Sequence, residues 1–435
     1  MNFWNFNSKS GEAIFDGNNK LSFQELQKYI ISFAKNFPLY KSLGFILCEN
    51  RIDDVVAYLS SVYHGHVCLL LSNKISKLHL ENLQKIYQPN WISDGKNFNL
   101  LNTEKLEINN DLAILLSTSG TTGSQKLVRL SYQNLQSNAD SIIQYLKIED
   151  KQKPIAHLPI HYSYGLSVLN SHFNVGAGII ITNNSLMEPN FWNLCGQATS
   201  ISGVPYTYEM LHRLRLENKI SKNIKTFTQA GGRLSDHLTK YFCDFAKKTD
   251  RDFFVMYGQT EATARISYVP SKELENFIGY IGIVIPDGHM ELDPDNQEII
   301  YKGKNVMMGY AESLQDLALG DLMEGVLRTG DLGEKDSNGF FKIIGRLKRF
   351  IKIFGNRLNL DEMENQLSSF FGKQILFSGK DDSLTCIIDQ DLKPNLVLDF
   401  MKKNYPIHPS AISIKILDFK KLPLLASGKI DYARL

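Results

Sequence analysis

Four stretches of this 435-residue chain carry residue types suited to handling phosphate groups. The first is STSGTTGSQK, residues 117–126, where small hydroxyl residues and glycines precede a lysine. Backbone N–H groups approach an anion closely where side chains are small, as at Gly120 and Gly123. The hydroxyls of Ser119, Thr121, Thr122 and Ser124 add donors, and Lys126 adds positive charge. The P-loop pattern GxxxxGK followed by Ser or Thr fails, because Gln125 stands where its second glycine belongs. Taken alone, the stretch reads equally as a polar surface turn. Its companions are MYGQTEAT (256–263), LRTGDLGEKDSNGFFKIIGRLKRFIKIFGNRLNLDEME (327–364) and LPLLASGKIDYARL (422–435).

The surrounding patterns supply elements to hold these stretches. LAILLS (112–117) is an apolar run suited to a buried strand, and KLVRL after the loop reads as a second strand. Ser131 then caps a helix whose apolar residues Leu135, Ala139, Ile142, Ile143 and Leu146 recur at helical spacing. DFFVM forms a strand leading into Tyr257. Nearer the N-terminus, LGFILCEN reads as a strand and RIDDVVAYLSSVYHGH as a helix. Beyond residue 360, DEMENQLSSFFG is a helix ending at Gly372, followed by QILFS, LTCIID, a helix near LVLDFMKKN and the strand AISIKIL, a compact α+β unit.

Composition narrows the function class. The 48 basic and 46 acidic residues nearly cancel, leaving a net charge of +2 and no field for a polyanion, so nucleic acid is not favoured. Five scattered cysteines form no CxxC pair and fit a reducing compartment. With no basic start before an apolar run and no long uninterrupted apolar segment, the chain reads as cytoplasmic, without a membrane span. The two histidines of HGH (64–66) lack a third ligand nearby and do not make a metal site.

In this order and spacing the four stretches resemble the adenylate-forming superfamily: acyl-CoA and aryl-CoA ligases, firefly luciferase and the adenylation domains of peptide synthetases. The resemblance runs from about residue 110 to the C-terminal end. It implies an α/β fold: a large N-terminal domain of α/β subdomains with mixed sheets over residues 1–345, a hinge at 346–348, and a small mobile α+β domain over 349–435. It also implies ATP and Mg2+ as cofactors, a carboxylic acid as substrate, and CoA or the phosphopantetheine of a separate acyl carrier protein as acceptor. Acid and ATP give an acyl-adenylate and pyrophosphate, and the acyl group then passes to the thiol. Two anions must meet in the first step, so the site has to neutralise phosphate charge and hold the reacting groups in line.

Residue roles follow from the same resemblance. Ser119 to Lys126 wraps the β- and γ-phosphates. Tyr257 packs on adenine, with Gly258 and Gln259 beside it, and Thr260 lies near the α-phosphate. Glu261 binds magnesium; a cation held mainly by phosphate and water needs only one or two protein carboxylates. Asp331 accepts the ribose hydroxyls, Arg346 adds a second ribose contact, and Lys352 and Arg357 lie near the adenylate. Lys348 is the pivot. Lys429 bridges carboxylate and α-phosphate during adenylation; its ordinary pKa of about 10.4 keeps it charged at neutral pH. His161 sits beside the acid in a pocket shaped by Tyr162, Gly231, Gly232 and Met256, although Tyr162, Tyr164 and Met256 read equally as core.

The relatives that activate amino acids usually carry an aspartate in the segment matching HLPIHYSYGL. None occurs between His157 and Asn170, which argues against an α-amino acid. The chain departs from the family pattern at Gln125, Leu127, Lys348-Arg349 and Leu360, and its N-terminal region looks abbreviated beside longer relatives. GKDDSL (379–384) has one residue too many for the phosphopantetheine-bearing motif of carrier proteins, so the acceptor is expected to be a separate molecule. Two alternatives stand: an inactive nucleotide-binding regulator of the same fold, disfavoured by the joint presence of Lys429, Glu261 and Asp331, and an adenylating enzyme with a non-thiol acceptor.

Overall fold

In a computed structural model the expected strand, loop, strand, helix arrangement is present as Leu112–Ser117, Leu127–Ser131 and Tyr132–Leu146. The helix starts where its cap dictates. Ser131 Oγ accepts from the Asn134 N–H at 3.0 Å, and Asn134 Oδ1 accepts from the Ser131 N–H at 2.8 Å, so two orphan donors are satisfied reciprocally. The structure describes residues 2–117, 126–353, 356–380, 382–405, 407–424 and 430–435; the side chains at 348, 350, 352, 356, 357, 359, 362 and 433 lie outside the description.

The chain divides into two compact units, one of residues 1–290 and 301–327 and another of residues 291–300 and 328–435. In the first unit a mixed seven-stranded sheet has the order Gly309–Ala311, Leu127–Ser131, Leu112–Ser117, Val67–Ser72, Leu43–Cys48, Trp91–Ser93, Phe98–Leu100. A nine-stranded sheet runs from Ile283–Val284 through Ser267–Val269, Asp252–Tyr257, Thr226–Gln229, Ser200–Gly203, Pro154–Ala156, Ile179–Ile181 and Glu12–Phe15 to Lys20–Ser22. One core joins them: Ile46, Leu70, Ile114 and Val128 of the first sheet cluster with Ile179 and Ile181 of the second and with Leu166, Leu169 and Phe173 of the helix Ser163–Val175. Alternate residues of the seven-stranded sheet, Phe45, Leu69 and Leu115, face a second cluster that includes Leu83 and Tyr87 of the helix Lys77–Tyr87. Every residue from Ser163 to Phe173 is buried, as a helix enclosed on all sides must be.

Arg129 fixes the edge of the seven-stranded sheet. Its side chain has no exposed surface, yet it donates to the carbonyls of Tyr310 (3.2 Å), Leu319 (2.6 Å), Met308 (2.9 Å) and Gly320 (3.1 Å). These four acceptors pin the segment 308–320 against its neighbour, in the register Gly309↔Arg129, Tyr310↔Val128, Ala311↔Leu127.

The second unit holds most of a four-stranded sheet, His289–Leu292, Glu298–Lys302, Val326–Lys335 and Phe341–Arg346. It then continues as the expected α+β arrangement: the hairpin Phe350–Ile353 with Asn356–Asn359, the helices Leu360–Phe371 and Pro394–Asn404, and a sheet of Leu376–Lys380, Ser383–Asp389 and Ile412–Leu417. Its apolar core gathers Ile353, Met363, Leu367, Phe377, Cys386 and Met401. Gly372 ends the first helix at φ 63°, and Ser383 enters a strand, as its sequence context required.

Replacing Arg129 with Met should lower the unfolding free energy of the first unit by at least about 2 kcal/mol, because four buried carbonyls lose charged donors. All three tryptophans, Trp4, Trp91 and Trp192, lie in that unit, so their fluorescence in a urea titration reads it directly. A change under about 0.5 kcal/mol would contradict the clamp.

Candidate active site

The strand Asp252–Tyr257 delivers MYGQTEAT into a tight turn, Thr260–Ala262. Glycine is required at 258, where a Cβ would lie 1.9 Å from the carbonyl oxygen of Ala264. Thr263 sits at φ 59°, which a β-branched residue resists, so the surroundings must hold it. Asn305 does so: its amide donates to the carbonyls of Ala262 and Arg265, each at 2.8 Å, while its Oδ1 accepts from Tyr301 at 2.7 Å. The Thr263 hydroxyl donates to the Asn305 carbonyl at 2.6 Å, and the Met307 N–H donates to the Glu261 carbonyl at 2.9 Å. Glu261 thus projects from a braced backbone. Thr260 beside it is buried, with Oγ1 3.3 Å from Ser163 Oγ, and the Gln259 amide donates to the Tyr257 hydroxyl at 3.2 Å.

Tyr310 joins the turn to the loop lysine. Its hydroxyl donates to Glu261 Oε1 at 2.9 Å, and Lys126 Nζ lies 3.6 Å from the centre of its ring. Glu312 Oε1 is 3.5 Å from the same ammonium. Burial and the Glu261 charge hold the phenol well above its ordinary pKa, so it remains a donor across the working range. One aromatic residue therefore positions a carboxylate through its edge and a cation through its face. With Oε1 engaged by the phenol, Glu261 keeps its other oxygen for a ligand. Among the described residues there is no cluster of three or more metal-ligating side chains, and a single carboxylate matches a magnesium ion that arrives with a triphosphate.

Ser119, Gly120, Thr121, Thr122, Gly123 and Ser124 lie outside the described residues, as does Lys429. In the second unit Asp331 and Arg346 meet directly across the paired strands, with Arg346 Nε donating to Asp331 Oδ1 at 2.8 Å. The aspartate is 2% exposed and the arginine 59%, so the pair presents its cationic side outward. Next to Lys348, Arg349 is drawn away from solvent. It is held by Asp361, by Glu364 at 2.8 Å and by the Phe377 carbonyl at 2.7 Å, and it stacks 4.2 Å from the ring centre of Tyr432. Partners from a following helix and from the tail draw this charge inward. Tyr432 also donates to Glu364 at 2.9 Å, and Leu424 pairs with Ile430, so both ends of the segment containing Lys429 are anchored in this unit.

The acyl-pocket residues divide. Gly231 has φ +84°, and a Cβ there would lie 2.4 Å from the Tyr162 hydroxyl, so the bare backbone makes room for that phenol. Gly232 lies against Pro205, 3.1 Å from a Cβ position. Met256 is buried, and its sulfur accepts from the Tyr145 hydroxyl at 3.1 Å, while Tyr164 donates to the Thr228 carbonyl at 2.9 Å; both belong to the interior. The sequence reading missed Arg129, Asn305, Tyr310 and Arg265, none of which lies in a position that its local pattern marks.

His161 Nδ1 and His157 Nε2 are buried without partners, and burial lowers both imidazoles to a pKa of about 4. Both are neutral at working pH, so His161 can accept or donate a hydrogen bond to an acid without adding charge. Because the unfolded imidazoles charge near pH ~6.5, the stability these sites hold at neutral pH is lost as pH falls from there toward 4. In histidine-selective NMR, the two signals, assigned with His157→Asn and His161→Asn, should stay neutral between about pH 8 and 5.5. A midpoint near pH ~6.5 for either would contradict the burial argument.

Known proteins place this arrangement. The chain is 26% identical over 336 residues to the 2-succinylbenzoate–CoA ligase of Listeria monocytogenes serotype 4b, covering 74% of this chain and 69% of the relative. It is 28% identical over 308 residues to a long-chain-fatty-acid–CoA ligase of Bacillus subtilis, covering 65% and 53%. Its fold matches the o-succinylbenzoate coenzyme A synthetase of Bacillus subtilis in complex with AMP, with a TM-score of 0.81 at 21% identity over 100% of this chain and 98% of that one. The same synthetase has been solved with its acyl-adenylate intermediate and with ATP and a magnesium ion. The family described as AMP-binding enzyme matches residues 75–311, more than half of the sequence, and the chain belongs to that family.

Proposed function

We propose that the protein activates a carboxylic acid with ATP, forming an acyl-adenylate and releasing pyrophosphate, and then transfers the acyl group to the thiol of CoA or of a carrier-protein phosphopantetheine. The observation that carries this reading is Tyr310, which gathers the Glu261 carboxylate and the Lys126 ammonium around one side chain. Handling a triphosphate with its cation requires both groups at one place. Related CoA ligases, and a synthetase seen with AMP, with an acyl-adenylate and with ATP and magnesium, support the same reading.

In this reading Lys126 and the loop before it hold the β- and γ-phosphates, and Glu261 would hold a magnesium ion that offsets their charge. Thr260, buried beside Glu261, faces the α-phosphate, while Tyr257 packs on adenine. Asp331 holds the ribose hydroxyls next to Arg346. Lys429 enters as residues 349–435 turn about 346–348, with the pivot at Lys348, and Lys352 follows to the adenylate. His161, neutral and beside Tyr162, Gly231 and Gly232, orients the acid, which is not an α-amino acid. The protein works in the cytoplasm, a reading supported by five free, buried cysteines. Among the described residues no helix is long and apolar enough to cross a membrane.

Acid-dependent exchange of labelled pyrophosphate into ATP tests the first step; no exchange with any of a broad panel of acids would defeat the proposal. Lys429→Ala should slow adenylation by at least about 100-fold and leave thioester formation from supplied acyl-adenylate largely intact. Equal loss in both half-reactions would reassign the residue. Tyr310→Phe keeps the ring beneath Lys126 and removes only the hydrogen bond to Glu261. It should raise the Mg2+ concentration for half-maximal exchange by about tenfold, with the rate at saturating Mg2+ nearly preserved. An unchanged Mg2+ dependence would show that Tyr310 does not position the metal carboxylate.

A further inference from the structure

Two arginines of the first unit are buried, and they are satisfied very differently. Arg129 has four carbonyl acceptors within 3.2 Å. Arg265 is 2% exposed, and its Nε is buried without a partner. Its Nη1 reaches the neighbouring Ala264 carbonyl at 3.4 Å, and the guanidinium shares a side-chain hydrogen bond with the Tyr145 hydroxyl. Among the described residues no carboxylate pairs with it. A guanidinium has five N–H donors, and holding it in the interior without a counter-charge costs several kcal/mol.

The surroundings of Arg265 are shaped for a partner. Its guanidinium stacks 4.2 Å from the ring centre of Tyr164. Burial pushes the Tyr145 and Tyr162 phenols up to about 12 while Arg265 pulls both the other way, so their hydroxyls face this cation as neutral donors or acceptors. Arg265 lines a cavity of about 20 Å³, room for roughly one water, beside Ser202 and Thr228. It also follows Glu261 by four residues on the backbone that Asn305 braces, and Tyr162 faces the bare backbone of Gly231. Tyr162, expected beside the acid, therefore lies close enough to feel the charge of Arg265, a fixed cation with no carboxylate partner among the described residues.

We infer that Arg265 is a specificity-determining residue and that the acid activated here carries a second anionic group, a carboxylate at its far end, which pairs with this guanidinium. The inference rests on the adenylation reading and adds the substrate class to it. The distal carboxylate supplies the counter-charge that the fold withholds, with the hydroxyl of Tyr162 as a further donor. An amino-acid ammonium in the same place would meet a like charge. A monocarboxylic acid would fill the space and leave the buried cation unpaired, the situation in which a polar site rejects a substrate lacking its group.

The test compares monocarboxylic acids with α,ω-dicarboxylic acids of the same chain length, using pyrophosphate exchange by the full chain. The wild type should favour the diacid in the best pair by about 10- to 100-fold in kcat/KM, the range of one charge-assisted pair. Arg265→Met and Arg265→Gln should collapse that ratio toward one with the KM for ATP unchanged, and Arg265→Lys should restore part of it. A wild type that prefers the monoacid in every pair, or an Arg265→Met enzyme with the ratio intact, overturns the inference. So does a rise in the KM for ATP that is the same with every acid, which would mean that the cation serves a phosphate. Thermal shift without ATP separates the two readings. Diacids should stabilise the wild type and not Arg265→Met, and this outcome stands even if no acid supports exchange and the adenylation reading fails. Should both neutral variants fail to fold, absence of a diacid-specific shift in the wild type is itself sufficient to reject the inference.

Discussion

A full positive charge with no exposed surface, held only by carbonyl oxygens, organises the first unit. Arg129 takes its four acceptors from a segment about 180 residues away in sequence and thereby decides where that segment lies. The decision matters because its strand neighbour is Gly309–Ala311, whose central residue is Tyr310. A slip of one residue in this register would send Tyr310 to the opposite face of the sheet and separate the hydroxyl from Glu261. The same loop reaches the other side of the turn through Asn305 and the Met307 N–H. Carboxylate and phenol are thus fixed relative to one another by backbone hydrogen bonds, with the loop lysine resting on the face of the same ring. Such preorganisation is what electrostatic stabilisation of a charged transition state needs, since no reorganisation remains to be done at the moment of reaction.

Among the histidines and tyrosines around the site, burial keeps the side chains neutral. His157 and His161 are neutral because burial penalises the imidazolium. Tyr145, Tyr162 and Tyr310 remain phenols because burial penalises the phenolate. Lys126, by contrast, keeps 40% of its side chain exposed, rests on an aromatic face and lies 3.5 Å from Glu312. Exposed cation–π and ion-pair contacts are each worth only about 1 kcal/mol or less, so they compete weakly with a phosphate. Arg265 is the exception, and its under-satisfied burial is the reason it points to a ligand.

Much of this architecture was legible because its determinants are local. The strand Leu112–Ser117, the Ser131 cap, the strand into Tyr257 and the Gly372 helix end each follow from residues within a few positions of one another. The residues that were missed act at a distance. Tyr310 meets Glu261 across 49 residues of sequence and Arg129 bonds the Tyr310 carbonyl across 181, and neither relation leaves a periodic trace. Arg349 shows the same limit. A basic run reads as solvated because its sequence neighbours are basic, yet the acids that bury Arg349 lie on the following helix and the ring that covers it lies in the tail. Met256 and Tyr164 kept two readings in sequence for a related reason: an apolar or aromatic side chain next to a site looks the same whether it lines the pocket or backs it. Both are buried, and they hydrogen-bond Tyr145 and Thr228.

The anchoring of the tail bears on how the second unit would carry Lys429. Tyr432 stacks on Arg349 and bonds Glu364, while Leu424 pairs with Ile430 and the Asp431 N–H donates to the Pro423 carbonyl at 2.8 Å. Both ends of the segment around Lys429 are therefore tied, directly or through each other, to residues past 348. A lysine on a free tail would lose much of its preorganisation each time it left the adenylate, because ordering a long side chain and its backbone again costs conformational entropy. Tied at both ends, the segment would travel with the unit, and a turn about 346–348 would change the lysine's position without having to fold its surroundings anew. Arg349 links the proposed pivot to the proposed catalytic segment by direct contact with Tyr432, three residues past Lys429. In this reading the basic pair at the pivot has two duties: Lys348 at the point of rotation, and Arg349 as the anchor that makes the tail part of the body being rotated.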